Sequence, residues 1–410
     1  MTTWRIPIVF FLFLAQASAD EIATWPQWRG PNRDSMIANA EPWPNTLQGD
    51  ALQKLWHIDL GPSYSGPIVT ADRIFITETL NKKTETVRAL DRKTGKQLWV
   101  REWPGAMSVP FFAKANGDWI RSTPAYDGEC LYVAGMCDVL VCLDASTGSE
   151  RWRIDFVKEL QSTNPDFGFV CSPLVVGDSV YVQAGGGFVK VDKKTGRIKW
   201  KTLQDGGGMY GSAFSSPVFA KINQQDQLVV QTRTKLAGVD PATGQVKWSE
   251  EVPAFRGMNI LTPSIINDRI LTSSHSGGTF LYSVAADNTG VKIEWKQKFD
   301  GYMSSPIVFQ GYAYLHLKNQ RFTCIDLKTG KPTWTTSKTY GKYWSMVFNR
   351  DKILALDERG ELYLIKANPE KYEQLDARKV ADDSWAHLAV CGNEVFVRDL
   401  HGLTVYRWAQ

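Results

Sequence analysis

Short stretches of alternating apolar and polar residues recur along the whole chain, and such alternation predicts half-buried β-strands. Val180-Tyr-Val-Gln and Val395-Phe-Val-Arg are clear examples. Each stretch follows a turn, and the turn follows a short phrase made of a small polar residue, proline and apolar residues. The phrase begins at Gly66-Pro67, Thr123-Pro124, Ser172-Pro173, Ser216-Pro217, Thr262-Pro263 and Ser305-Pro306, and Ser345-Met346 and Ala386-His387 occupy two further slots without proline.

A second phrase alternates with the first and has the form Asp-x-x-Thr-Gly followed by Trp. It ends at Trp99, Trp152, Trp200, Trp248 and Trp334, and a slipped copy (Asp287–Gly290) ends at Trp295. These tryptophans are 53, 48, 48, 47 and 39 residues apart, a period typical of propeller blades. The Asp and Gly favour a turn, and a Trp on the following strand is large enough to fill the gap between two sheets. We therefore expect each Trp to contact the next blade.

The two phrases together predict an all-β protein, an eight-bladed β-propeller with four antiparallel strands per blade. The last blade has only three strands, since Leu403–Arg407 would be its third and nothing follows to supply a fourth. Near the other end, Gln53–Ile58 with its Trp56 is a strand without a blade. Pairing these two segments closes the ring and removes its last free edge. A seven-bladed ring would leave one unit over.

The chain divides into three predicted parts. Residues 1–19 combine one positive charge, the apolar run Ile6–Ala15 and an Ala17-Ser-Ala19 cleavage pattern, which favours a signal peptide over a buried strand. Residues 20–51 are rich in Trp and Pro, and we expect an ordered extended arm across the propeller. Residues 52–410 form the propeller. We expect an exported protein, periplasmic or extracellular, that is soluble after cleavage and has no lipid-anchored terminus.

Composition adds little about function. The 410 residues are 43% apolar and 22% charged, with a net charge of +4 and no basic blocks, so no nucleic-acid partner is expected. The composition includes six cysteines. A hairpin centred on Met136 would place Cys130 opposite Cys142, which allows either a disulfide or two buried free thiols. No C-x-x-C, phosphate loop or nucleophile motif occurs, and the three histidines 275, 316 and 387 lie in different blades, so no metal site is expected.

The phrase Ala89–Trp99 resembles the repeat of the PQQ-like superfamily, which includes pyrroloquinoline quinone (PQQ) dehydrogenases and the BamB assembly lipoproteins. The arm around Trp25–Pro31 resembles exported PQQ-like repeat proteins without an assigned activity. The quinone enzymes of this superfamily would imply adjacent cysteines and a Ca²⁺ cage, and this chain has no such Cys pair. The resemblance therefore implies no cofactor in the preferred interpretation, and PQQ with Ca²⁺ only in the alternative one.

Segments just before the inner strands gather at one mouth of a propeller, and here they carry aromatic and cationic residues. Such a well suits a planar or anionic ligand, although the same aromatics are also typical of packing between blades. The preferred interpretation is a non-catalytic, monomeric binding or scaffold module for an envelope protein, a peptide or a small ligand. The alternative is a PQQ-dependent oxidoreductase. The predicted ligand-binding residues are Trp119, Arg121, Phe169, Phe214, Arg256, Asn259, Tyr302, Trp344, Trp385 and His387.

Overall fold

Eight separate four-stranded antiparallel sheets account for nearly all the regular structure in the described part of the chain. The computed structural model describes residues 23–37, 40–205, 207–209, 211 and 214–409. The predicted signal peptide at 1–19 lies outside these residues. Within them, no helix is both long and apolar enough to cross a membrane.

The strands follow one another blade by blade. The chain begins with β1 (Leu52–Asp59). Blade 1 then contains β2 (Ile68–Val69), β3 (Arg73–Leu80), β4 (Thr84–Asp91) and β5 (Gln97–Pro104), and blade 2 contains β6 (Ala125–Tyr126), β7 (Cys130–Gly135), β8 (Val139–Asp144) and β9 (Glu150–Asp155). Blade 3 contains β10 (Leu174–Val176), β11 (Ser179–Gln183), β12 (Phe188–Asp192) and β13 (Ile198–Thr202), and blade 4 contains β14 (Val218–Ile222), β15 (Gln225–Gln231), β16 (Lys235–Val239) and β17 (Val246–Glu251).

The second half repeats the arrangement. Blade 5 contains β18 (Ser264–Ile266), β19 (Arg269–Ser274), β20 (Gly278–Val284) and β21 (Val291–Gln297), and blade 6 contains β22 (Ile307–Phe309), β23 (Tyr312–His316), β24 (Phe322–Asp326) and β25 (Pro332–Thr335). Blade 7 contains β26 (Trp344–Asn349), β27 (Lys352–Asp357), β28 (Glu361–Lys366) and β29 (Glu373–Lys379), and blade 8 contains β30 (Ala389–Cys391), β31 (Glu394–Arg398) and β32 (Gly402–Trp408). The described helices are short: α1 (Phe156–Leu160) and 3-10 turns at Gly49–Ala51, Phe111–Asn116 and Phe255–Gly257.

Blade 8 is completed by β1, which confirms the predicted closure of the ring. Its strand order is β1-β32-β31-β30, and Trp56 pairs with Val405 in an antiparallel register. The first strand of the propeller therefore supplies the outermost strand of the last blade. This pairing satisfies the edge of β32, which would otherwise present unpaired backbone groups.

Most repeat tryptophans contact the turn of the following blade. Trp99 Nε1 donates to the carbonyl of Ala145 at 3.0 Å, and its ring lies so close to Gly148 that a Cβ there would be 2.6 Å from it. Gly148 has a φ of +74°, which fits the turn predicted for Asp-x-x-Thr-Gly. The same ring-on-glycine contact joins Trp56 to Gly95, Trp152 to Gly196, Trp200 to Gly244 and Trp295 to Gly330.

The slipped repeat breaks this rule. Gly290 has no atom within 4 Å of where its Cβ would be, so no tryptophan lies on it. Trp248, which would reach it, instead donates Nε1 to Gln227 Oε1 of its own blade at 2.9 Å and is buried there. A deviation in sequence thus produces a local deviation in packing.

Four of the residues before proline donate a backbone hydrogen bond to a hydroxyl of the neighbouring blade. The amide of Gly66 donates to Thr123 Oγ1 (3.0 Å), that of Thr123 to Ser172 Oγ (3.0 Å) and that of Ser172 to Ser216 Oγ (2.9 Å). The amide of Thr262 likewise donates to Ser305 Oγ (2.9 Å). These amides lie two residues before the inner strands begin, so the hydroxyl of the neighbouring blade supplies an acceptor where the strand ladder does not.

The segment before β1 crosses the central channel. Arg33 Nη2 donates to the carbonyl of Ser172 in the segment that leads into blade 3 (2.9 Å). Only four residues later, the amide of Ile37 donates to Phe348 O of blade 7, also at 2.9 Å. Blades 3 and 7 face each other across a ring of eight, so the chain between these contacts lies in the channel. Trp43, farther along, stacks on Trp408 with ring centroids 5.5 Å apart.

The register of the β7–β8 hairpin differs from the predicted one. Cys130 pairs with Asp144 and Tyr132 pairs with Cys142, so the hairpin is centred on Cys137 and not on Met136. The turn has three residues, with Asp138 at a φ of +57°, and this displaces the register by one residue per strand. Cys130 and Cys142 are therefore not opposite each other, and both are free thiols.

Substituting Gly148 with Ala is expected to destabilise the protein by about 2 kcal/mol or more, since the methyl group meets the Trp99 ring and the backbone is left-handed. Gly290→Ala is the matched control, because that glycine has open space and no positive φ. Its effect should lie within about 1 kcal/mol of zero. Urea unfolding of both variants measures the difference. Equal destabilisation would show that the ring-on-glycine contact carries no stability.

The buried His316 is expected to make stability depend on pH. Its ring stacks on Trp344 (centroids 5.0 Å apart), and burial lowers its pKa to about 3. The unfolded chain binds a proton near pH 6.5 and the folded protein does not, so stability is lost as pH falls from 6.5 towards 3. His316→Phe should reduce that loss by about 1.4 kcal/mol per pH unit, whereas the exposed His401→Gln should not. Urea unfolding at pH 7 and pH 5 gives the slope for each of the three proteins, and identical slopes would contradict the prediction.

Candidate functional site

A cavity of about 600 Å³ opens where the segments leading into the inner strands meet. The arm closes it on the channel side, because Trp28 lines the cavity while Arg29 and Arg33 line a smaller cavity of about 250 Å³ farther along the channel. Trp28 is fixed by a 3.0 Å hydrogen bond from Nε1 to Thr262 Oγ1. Within the described residues, the larger cavity is therefore a blind well that Trp28 of the arm bounds on the channel side.

One position of the repeat supplies a ring of side chains to this well. In all eight blades its side chain lines the cavity. It lies two residues before Gly66, Thr123, Ser172, Ser216, Thr262, Ser305, Ser345 and His387. The eight residues are Tyr64, Arg121, Val170, Phe214, Ile260, Met303, Tyr343 and Trp385.

The next residue in each segment faces the other way. Ser65, Ser122, Cys171, Ser215, Leu261, Ser304, Trp344 and Ala386 are all fully buried. Extended backbone alternates side chains between its two faces, which accounts for the contrast between adjacent positions.

The lining is cationic. Three arginines (Arg121, Arg233 and Arg256) face the well, and no carboxylate does so among its described lining residues. Arg121 donates from Nη2 to the carbonyl of Gly117 (2.8 Å) and from Nε to that of Trp119 (3.3 Å). Burial lowers the pKa of Arg121 to about 10, so the guanidinium remains charged at neutral pH. A ligand with a negative charge would meet a fixed positive charge here.

Arg233 and Arg256 lie together on a different side of the well. Arg233 donates from Nη2 to the carbonyl of Arg256 at 2.6 Å, and its guanidinium lies 4.6 Å from the ring centroid of Phe214. Arg256 is exposed at the mouth, 5.2 Å from the ring of Phe255. Blades 4 and 5 thus contribute one buried cation and one exposed cation next to aromatic faces.

An aromatic wall occupies blades 7, 8 and 1. Tyr343 and Trp385 are stacked with an interplanar angle of 7° and centroids 6.1 Å apart, and Trp385 contacts Tyr64 at 5.6 Å. The guanidinium of Arg121 is 5.9 Å from the Tyr64 ring, at the end of this wall. Flat aromatic faces beside fixed cations can bind a planar group by stacking and an acidic group by hydrogen bonds.

The structure brings five of the ten predicted ligand-binding residues to the cavity and places five elsewhere. Arg121, Phe214, Arg256, Tyr302 and Trp385 line it. Phe169 and Trp344 are buried in the cores of blades, and Asn259 is buried with its amide donating to the carbonyls of Arg233 and Val252. Trp119 packs behind Tyr64, and His387 is buried beneath Trp28, with ring centroids 4.9 Å apart.

Sequence reasoning missed several lining residues. Tyr64 and Tyr343 occupy the same repeat position as Arg121, two residues before Gly66 and Ser345, and that spacing could have identified them. Arg233 lies in the β15–β16 turn and Trp28 lies in the arm, so neither belongs to the segments just before the inner strands. Their placement depends on tertiary packing.

The donor set of the well does not fit a Ca²⁺-bound quinone. Ca²⁺ takes six to eight oxygen ligands, usually including carboxylates. The described lining offers hydroxyl groups and no Asp or Glu, and no group of three or more His, Cys, Asp or Glu in the described residues is arranged to hold a metal ion. The aromatic and arginine residues would suit the rings and acid groups of such a cofactor, but the described lining has no carboxylate to bind the Ca²⁺ ion.

Comparisons with known proteins agree with this architecture. A family model described as outer membrane protein assembly factor BamB matches residues 83–336. The BamB of Moranella endobia is 22% identical over 369 residues, covering 85% of this chain and 88% of its own. The crystal structure of BamB from Moraxella catarrhalis superposes with a TM-score of 0.62 at 14% identity, covering 87% of this chain and all of that one.

A quinohemoprotein alcohol dehydrogenase from Comamonas testosteroni has the same fold. Its TM-score is 0.72 at 14% identity, and the match covers 94% of this chain and 80% of that chain. Such a likeness shows the fold and leaves activity to the site residues. The ring of eight blades and the match to most of the repeat lead to one conclusion: the chain belongs to the BamB-like family of PQQ-repeat β-propellers.

Proposed function

We propose that this protein is an exported binding module that holds a ligand carrying both an acidic group and a flat apolar group in its blind well. The observation that carries the proposal is the lining itself, which combines nine aromatic residues and three arginines with no carboxylate among the described residues. Acidic groups would bind Arg121 and Arg233, and rings would stack on Trp385 and Tyr343. A volume of about 600 Å³ is suitable for a small organic ligand or a few side chains.

Binding without turnover is the simpler use of this site. Arg121 has a pKa too high for proton transfer near neutral pH, since burial lowers it only to about 10. The described lining contains no Asp, Glu, His or Cys that would act as a general base or nucleophile. An oxidoreductase using PQQ and Ca²⁺ remains the alternative, and the lack of metal ligands in the lining argues against it.

The dye anilinonaphthalene sulfonate, a planar aromatic anion, tests the proposal directly. We expect one-to-one binding, measured by the rise in its fluorescence on titration. Arg121→Ala should weaken binding about tenfold, the effect of losing a hydrogen bond to a charged group. Phenyl-naphthylamine, which lacks the sulfonate, should bind both proteins equally.

Arg197→Ala is the matched control for charge, because Arg197 is exposed on a repeat turn of blade 3. It should leave dye affinity unchanged. Thermal unfolding of each variant verifies that the fold is intact. If Arg121→Ala and Arg197→Ala bind the sulfonate dye equally well, the well is not the anion site.

The alternative function, a PQQ-dependent oxidoreductase, would require turnover with PQQ and Ca²⁺, and we expect none. Purified protein incubated with PQQ and Ca²⁺ should show no Ca²⁺-dependent reduction of an electron-acceptor dye with alcohols or sugars as substrates. The physical reason is that the described lining has no carboxylates to hold the ion. Reproducible turnover that depends on both PQQ and Ca²⁺ would replace the binding proposal with the oxidoreductase.

A further inference from the structure

The mouth of the well carries exposed phenylalanines, one of which, Phe111, lies outside the cavity lining. Of the large apolar side chains most exposed in the described residues, Phe111 (85%), Phe112 (51%) and Phe255 (50%) lie on the two 3-10 turns beside the mouth. The others, Leu98, Val100, Val246 and Ile293, lie on the outermost strands of their blades. Exposed aromatic residues grouped at a cavity entrance are typical of an interaction surface.

A continuous set of ring contacts leads from this surface into the well. Phe111 contacts Phe112 (centroids 5.6 Å apart), and Phe112 contacts Phe167 (6.3 Å). Phe167 contacts Phe214 (5.6 Å), and Phe214 lies under the guanidinium of Arg233. An apolar path therefore begins outside the well and ends at a cation inside it.

We propose that the natural occupant is the carboxy-terminal segment of a partner protein. Its terminal carboxylate would face Arg121 and Arg233, and its preceding apolar side chains would cover Phe111 and Phe112. This inference rests on the proposed function, since it assigns a ligand class to the same anion-binding well.

Three features favour a chain terminus over other occupants. The floor at Trp28 closes the well, so a polypeptide can end in it but cannot pass through it. Phe111 does not line the cavity, so a small molecule confined to the well would leave it uncovered. Arg121 and Arg233 face a concave space, which the flat surface of a bilayer would not reach. A terminal carboxylate with apolar neighbours matches all three features.

A fluorescein-labelled hexapeptide ending in Leu-Phe-Phe tests the inference by fluorescence anisotropy with the full chain. The free-acid peptide should bind about tenfold more tightly than the same peptide with an amidated terminus, because only the acid carries the charge that the arginines bind. Phe111→Ser should weaken binding of the free acid about tenfold through loss of apolar contact. Ile293→Ser, which removes an exposed apolar side chain on the outer edge of blade 5, should have no effect.

The sulfonate dye separates this inference from the proposed function. Phe111→Ser should leave dye binding unchanged, since Phe111 is outside the cavity lining. If the dye binds but the acid and amide peptides bind equally or not at all, the proposed carboxy-terminal occupant is wrong. The proposed function as a binding module is then still supported. If neither dye nor peptide binds, both proposals fail. Phe111-dependent sedimentation with phosphatidylglycerol vesicles, without peptide binding, would identify the phenylalanines as a bilayer contact and overturn the inference.

Discussion

A tryptophan ring lying on a glycine without a Cβ is the contact on which the ring of blades depends. At Trp99 and Gly148 the two are so close that no other residue fits the second position without displacement. The contact requires a glycine in a left-handed turn. The aspartate four residues earlier stabilises that turn by accepting amide hydrogen bonds, which hold the glycine backbone under the ring. Asp144 Oδ1 accepts hydrogen bonds from the Ser146 hydroxyl and from the amides of Ser146 and Thr147. The bond from the Ser146 hydroxyl contributes most to keeping the pKa of Asp144 below its usual value. Repetition of one local rule around a circle therefore specifies a global shape.

The architecture follows from the sequence because each blade contains the information for its own neighbour contacts. The count of repeats and the orphan strand at Trp56 were sufficient to predict eight blades and the pairing with Val405, which the structure confirms. The β7–β8 register was not predictable in the same way. The observed register differs from the predicted one by two residues along one strand. Such a shift keeps every side chain on its own face of the sheet, so the alternating pattern on both strands tolerates either register.

The candidate site was only partly predictable for a different reason. In the segments before the inner strands, successive side chains face either the channel or the interior of the blades. A prediction that selects aromatic residues without their exact position therefore includes both channel-lining and buried residues. Trp344 is a wall residue and Tyr343, its neighbour, is a channel residue. The remaining lining residues come from the arm and from the β15–β16 turn. The sequence pattern does not relate these to the repeat, because only the folded ring brings Trp28 and Arg233 to the same space.

The arm and the repeat make different contributions to the site: the arm closes the channel, and the repeat supplies most of the lining. Arg29 and Arg33 are buried in the channel, where their guanidinium groups donate to backbone carbonyls including those of Pro306 and Ser172. Burial lowers the pKa of Arg33 to about 9, which reflects the cost of removing a cation from water, and the carbonyl hydrogen bonds offset part of that cost. Held in this way, the arm converts an open channel into a blind well. At one repeat position in each of the eight blades, a side chain then faces the well, two residues before Gly66, His387 or the hydroxyl residue of the other six blades. Those eight positions can differ in chemistry while the hydroxyl groups and the tryptophan contacts keep the ring unchanged, which is how one propeller accommodates unrelated functions.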